Sequence, residues 1–176
     1  MKNNLLLGVT GSIAASKTEK LYSLLANSHN IKIISTTEGL KYLSKSFKTK
    51  VNVLSSWEDS PGSPHIELSR WADKVIIYPA TANFIAKLSS GISDDLLLST
   101  MLMYKKSIYI APAMHEEMYL DKETQTNITK LSNRHIICGP RYGNLDIGDQ
   151  GLGRLLEPYE ILEIINGDNE KVIVTA

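Results

Sequence analysis

Four stretches of the chain place small residues, hydroxyls and a few reactive side chains directly behind short apolar runs. The first is Thr10-Gly11-Ser12-Ile13. A glycine turn that opens a helix presents free N–H groups and the positive end of the helix dipole, which suits a phosphate. Ser12 could add a hydroxyl to that phosphate, or serve simply as the helix cap. The second is Ser35-Thr36-Thr37, whose hydroxyls suit another contact to a mononucleotide phosphate or, equally, the start of a helix. A dinucleotide site would require G-x-G-x-x-G and an acid closing the second strand. The turn Gly8-Val9-Thr10-Gly11-Ser12 lacks that spacing and hydroxyls stand in place of the acid, so NAD is disfavoured. The third is Pro79-Ala80-Thr81-Ala82-Asn83-Phe84. Its small residues let a planar ring approach the backbone, while Thr81 and Asn83 offer a hydroxyl and an amide. The fourth, Pro112-Ala113-Met114-His115-Glu116-Glu117-Met118-Tyr119, adds an imidazole and thioethers. Met114 and Met118, four apart, also suit plain core packing. His65, after Pro64, opens an amphipathic segment and reads by itself as a helix-start residue.

The elements that must hold these residues show in the hydropathy pattern. Apolar runs at 5–9, 31–35, 74–78, 107–111 and 135–138 are short and rich in Val, Ile and Leu, as strands buried on both faces are. Helix candidates at 12–25, 83–88 and 94–103 alternate with them. This rhythm predicts an α/β fold, a doubly wound parallel sheet in one domain over residues 1–176. Ligands in such sheets bind beyond the carboxyl ends of the strands, where the four stretches fall. Residues 55–64 and 139–153, rich in Gly, Pro or Ser, read as loops.

Composition narrows the function. The formal net charge is zero, so no global field favours nucleic acid or an anionic membrane. Cys138 is the only cysteine, which excludes an internal disulfide, and the four histidines lack zinc-site spacing, so no metal is expected. The opening apolar run is too short for a signal peptide, and no stretch approaches the roughly 20 apolar residues of a membrane span. A cytoplasmic protein is expected.

Taken in order, these elements resemble the homo-oligomeric flavin-containing cysteine decarboxylases, which include phosphopantothenoylcysteine decarboxylases and lantibiotic peptide decarboxylases. The likeness rests on TGSIAASK, on the segment from His65 to Asp73, on PATANF, on PAMHEEMY and on GLGRLLEP, and it spans nearly the whole chain. It implies a Rossmann-like or flavodoxin-like FMN domain. FMN would be lined by Gly11, Ser12, Ile13, Thr36, Thr81, Ala82, Asn83, Phe84 and Ala113. His65 and His115 would be catalytic. His115, Met118, Asn144, Leu145, Asp146 and Arg154 would meet the substrate, with 139–153 as a mobile substrate loop. The implied reaction oxidises a cysteine thiol to a thioaldehyde, whose C=S accepts the electrons released with CO₂.

The implied substrate is 4'-phosphopantothenoylcysteine, on the route to coenzyme A, with Arg141 and Arg154 as candidates for its phosphate. A peptide with a C-terminal cysteine is the alternative, for which Ile147 and Leu152 could form an apolar groove; a non-catalytic regulatory flavoprotein is a third reading. The resemblance also implies a homotrimer or dodecamer. Four positions depart from the family pattern: His115 stands where Asn is usual, Tyr119 where Trp is usual, Phe84 where Thr is usual, and Ile147 where many coenzyme A decarboxylases carry a cysteine that helps return electrons to the product. Residues 170–176 resemble the opening strand of a following synthetase domain.

Overall fold

The computed structural model describes residues 1–167; the terminal strand expected over 170–176 lies outside them. The chain begins with β1 (Asn3–Val9), α1 (Thr18–Leu25), β2 (His29–Ser35), α2 (Thr37–Leu40), α3 (Lys45–Lys50) and β3 (Val53–Leu54). It continues through α4 (Pro64–Trp71), β4 (Lys74–Ala80), α5 (Ala82–Ser89), α6 (Leu96–Met103), β5 (Tyr109–Pro112), α7 (Glu116–Leu120), α8 (Lys122–Ser132) and β6 (Ile136–Ile137). A hairpin of β7 (Arg141–Asn144) and β8 (Gln150–Arg154) leads into α9 (Pro158–Asn166).

The six-stranded sheet is parallel, in the order β3-β2-β1-β4-β5-β6. Winding outward from β1 in one direction and from β4 in the other leaves a crevice between their carboxyl ends. Successive strand side chains point to opposite faces, which builds two cores. Leu5, Leu7 and Val9 pack with Ile76, Tyr78 and Ala111 under α1 and α9. Leu6, Ile77 and Ile110 pack with Leu68, Ile85, Leu97 and Leu131 under α4, α5, α6 and α8. Full burial of each such side chain contributes about 1.5–3 kcal/mol. No helix among the described residues is long and apolar enough to cross a membrane.

Three expectations need correction. The segment 12–25 is not one α-helix: Ile13–Lys17 is a 3-10 turn capped by Ser12, and the α-helix begins at Thr18. Tight i→i+3 bonding is common at helix starts. The loop 55–64 contains a second 3-10 turn, Trp57–Asp59, and donates Pro64 to the first turn of α4. The loop at 139–153 is largely the β7–β8 hairpin, paired from Arg141↔Arg154 to Asn144↔Gln150.

The hairpin's glycines, which read as loop signals, instead permit contact. The Met114 N–H donates to the Gly153 carbonyl at 3.1 Å, and a Cβ on Gly153 would fall 2.1 Å from the Met114 carbonyl oxygen. Beside it, the Leu152 N–H donates to Glu116 Oε1 at 2.8 Å. The hairpin is thereby docked on the segment joining β5 to α7. Its tip closes through a bond from Leu145 N–H to the Asp149 carbonyl (2.8 Å) and carries Ile147 at φ 55°, a strained conformation for a β-branched residue.

Candidate active site

Two cavities adjoin at the carboxyl ends of the strands, sharing Ser12, Ala113 and Met114 as a common wall. The first, about 530 Å³, lies over the crevice between β1 and β4. Thr10 holds the crevice together. Its buried hydroxyl donates to the Pro79 carbonyl at 2.7 Å and accepts from Thr81 N–H at 3.0 Å, tying the end of β1 to the end of β4.

Around that tie, helix starts converge. Ser12 Oγ accepts from Ala14 N–H (3.2 Å), Thr36 Oγ1 from Gly39 N–H (3.0 Å), Thr81 Oγ1 from Phe84 N–H (3.1 Å), and Asp95 Oδ1 from Leu98 N–H (2.7 Å). The cap and the ligand readings of these hydroxyls therefore share the same geometry, because each cap points its helix start at the cavity. Gly11 is required by close packing: a Cβ there would lie 2.4 Å from Glu38 Cβ. Phe84, Leu98, Ala113 and Met114 supply the apolar wall.

The structure places Gly11, Ser12, Thr36, Thr81, Ala82, Asn83, Phe84 and Ala113 on this first cavity, together with Met118, which the sequence reading put with the substrate. Ile13 lines the second cavity instead. Thr10 and Asp95 were missed. Thr10 carried no signal beyond its place before Gly11. Asp95 had one, as an acid preceding an apolar helical run. Burial pushes the Asp95 carboxyl above the usual range, against the opposing Leu98 N–H bond.

The second cavity, about 520 Å³, is walled by the 3-10 turn, by the β5–α7 junction and by the hairpin. It gathers His115, Asn144, Leu145, Asp146 and Arg154 from the expected set, and adds Lys17 and Ile147. His115 sits between two carboxylates: Nδ1 meets Glu117, and Nε2 lies 2.8 Å from Asp149 Oδ2. Its hydrogen bonds to Glu117 first, and to Asp149 second, raise its pKa and favour the imidazolium. Arg154 and Lys17 both hold Glu157 Oε1 at 2.7 Å, and chiefly the Lys17 bond keeps that carboxylate below its usual range. Two cations on one anion leave one positive charge in this group, while Asp146 lines the same cavity. Arg141 pairs with Glu160 and lines neither cavity.

His65 lies apart. It is half-buried in the first turn of α4, lines neither cavity, and its Nδ1 is buried without a hydrogen-bond partner. Among the described residues no cluster of His, Cys, Asp and Glu is arranged to hold a metal.

Residues 1–170 match the flavoprotein family profile. The chain belongs to the flavoprotein family. Among curated relatives, the "Coenzyme A biosynthesis bifunctional protein CoaBC" of Haemophilus influenzae is 36% identical over 171 residues, covering 93% of this chain and 43% of that protein. The protein of the same name from Mycobacterium tuberculosis is 35% identical over 162 residues, covering 89% of this chain and 39% of that protein. The chain thus spans about two fifths of these relatives.

Among solved structures, a cysteine-to-serine mutant of PPC decarboxylase complexed with pantothenoylaminoethenethiol superposes with TM-score 0.86 at 29% identity, covering 94% of this chain and 97% of that one. The FMN-binding protein AtHal3 follows at TM-score 0.82 and 27% identity, covering 94% and 95%. The epidermin biosynthesis protein EpiD from Staphylococcus aureus has TM-score 0.82 at 25% identity, covering 92% and 99%.

Proposed function

We propose that the chain binds FMN in the first cavity and decarboxylates 4'-phosphopantothenoylcysteine held in the second. The observation that carries this reading is the pair of adjoining cavities with a shared Ser12–Ala113–Met114 wall. The first has what a phosphate-tailed planar group needs: capped helix starts around Gly11, Thr36 and Thr81, and an apolar face at Phe84 and Leu98. The second offers a histidine for a carboxylate and a net positive charge at Lys17 and Arg154 for a phosphate. The names of CoaBC and PPC decarboxylase support the same substrate.

FMN, when bound, supplies the two-electron acceptor for oxidation of the cysteine thiol. The chain's residues do the rest. His65 takes the thiol proton, an imidazole being suited to that transfer near neutral pH. His115 orients the carboxylate through Nε2–H, so that the C–C electrons flow into the new C=S as CO₂ leaves. The hairpin covers the reacting carbons from water.

Because His65 lies outside both cavities of its own chain, its role belongs with a homotrimer, or a dodecamer of trimers. There FMN would sit between subunits and His65 of one would serve a neighbour's site. The expected location is the cytoplasm.

Ile147 favours a second reading. With no thiol at the hairpin tip to help return electrons, the product leaves as the ene-thiol, as expected of a peptide-cysteine decarboxylase. Purified protein should be yellow and should release CO₂ from 4'-phosphopantothenoylcysteine, with the product followed by mass spectrometry. Phosphopantetheine supports the first reading. An ene-thiol that turns to phosphopantetheine in an Ile147→Cys variant supports the second. A yellow protein that ignores this substrate but decarboxylates cysteine-ended peptides moves the substrate assignment. A His65→Asn variant should keep FMN and lose turnover; full activity would remove His65 from the mechanism.

A further inference from the structure

His115 is held more tightly than a substrate-binding histidine needs to be. Both ring nitrogens are engaged by carboxylates from different elements: Glu117 from the first turn of its own helix, and Asp149 from the hairpin tip. The other charged groups around the cavity are committed elsewhere. Lys17 and Arg154 hold Glu157, Glu116 accepts from Leu152 N–H, and Asp146 accepts from Ile147 N–H at 2.8 Å. Asp149 Oδ2, 2.8 Å from Nε2, therefore occupies the place on that nitrogen that a substrate carboxylate would take.

We propose that Glu117 and Asp149 are positioning residues for His115: Glu117 fixes the ring through Nδ1, and Asp149 is an internal carboxylate that the substrate carboxylate displaces from Nε2. The inference rests on the decarboxylase reading above. It explains how a histidine can do the work of the family's usual amide. An amide donor is permanent, whereas an imidazole needs a second partner to keep both its proton and its orientation.

The test uses the FMN-loaded full chain, with Glu117→Gln, Asp149→Asn and Asp149→Glu variants. Two readouts are needed: the proton NMR titration of the His115 ring, assigned by loss of its signal in His115→Asn, and kcat and KM for 4'-phosphopantothenoylcysteine from pH 5.5 to 8.5. Glu117→Gln should lower the His115 midpoint and raise KM above pH 7, with kcat changed much less. Asp149→Asn should also lower the midpoint. At pH 5.5, a unit below the ordinary histidine value of about 6.5, it should lower KM by about two- to fivefold, the weight of an exposed ion pair. Asp149→Glu should restore the wild-type midpoint. An unmoved midpoint in both charge-removing variants, or an Asp149→Asn KM at pH 5.5 equal to or above wild type, overturns the proposal. If the wild-type protein does not turn over this substrate, the substrate assignment fails, and the NMR titration still decides whether the two carboxylates govern the ring.

Discussion

Cys138 is fully buried among Leu155, Leu156 and Ile161, and burial pushes its thiol up to about 12. It lines neither cavity, so it cannot stand in for the cysteine missing at position 147. Iodoacetamide should leave the native protein unmodified and add one carbamidomethyl group only after unfolding, as intact mass would show. Gly153 is the opposite kind of residue, defined by what it lacks. Gly153→Ala would drive a Cβ into the Met114 carbonyl at a φ of 151°, and should cost about 2–3 kcal/mol in urea unfolding. The sequence showed Gly153 as one glycine in a glycine-rich stretch. That its job is contact rather than looseness depends on Met114, some forty residues away, and no local pattern carries that information.

At the scale of elements, the crevice depends on Thr10. Replacing it by Val leaves the Pro79 carbonyl without its donor and the Thr81 N–H without its acceptor, a loss of about 1–3 kcal/mol. The same variant should bind FMN more weakly, measurable by quenching of flavin fluorescence, because the start of α5 is no longer tied to β1. The strands β1, β2, β4, β5 and β6 were legible because their side chains answer to burial on two faces, as Leu5, Leu6 and Leu7 do by alternating between cores, and of the helices α1, α5 and α6 were expected. The two-residue strand β3 was not, since Val53-Leu54 is too short to show a period. The hairpin was hidden because Gly, Asn and Asp outnumber apolar residues in it. At the site, the strand ends announced most of the first cavity. The carboxylates flanking His115 were not announced: Glu117 lies in a run read for its imidazole and thioethers, and Asp149 reaches the ring only through the folded hairpin.

Across the whole molecule, histidines pull stability in opposite directions with pH. His29 and His135 have lowered pKa values, first through desolvation, and the His135 Nδ1 accepts from Ile108 N–H at 3.2 Å, which a protonated nitrogen cannot do. Both bind a proton more readily when unfolded, so they cost stability as pH falls through the ordinary histidine value of about 6.5. His115 is raised, so its contribution is full below that value and fades as pH climbs through its folded pKa. The melting temperature should therefore fall from pH 7 toward pH 5, less steeply in a His135→Gln variant and more steeply in His115→Asn, as calorimetry would show.

The docking of the hairpin has one more consequence. Its hold on the β5–α7 segment is made by the main chain of Leu152 and Gly153, whereas its outer rim on the second cavity, beyond Gly153 and Arg154, is made by residues 144–147. Anchor and outer rim are separate pieces of sequence. A relative could exchange its tip wholesale, and with it the shape of molecule admitted, without disturbing the seat on which the tip is mounted. In that sense residues 144–149 behave as an interchangeable cassette on a fixed socket, the part of the molecule where new preferences can arise without refolding the rest.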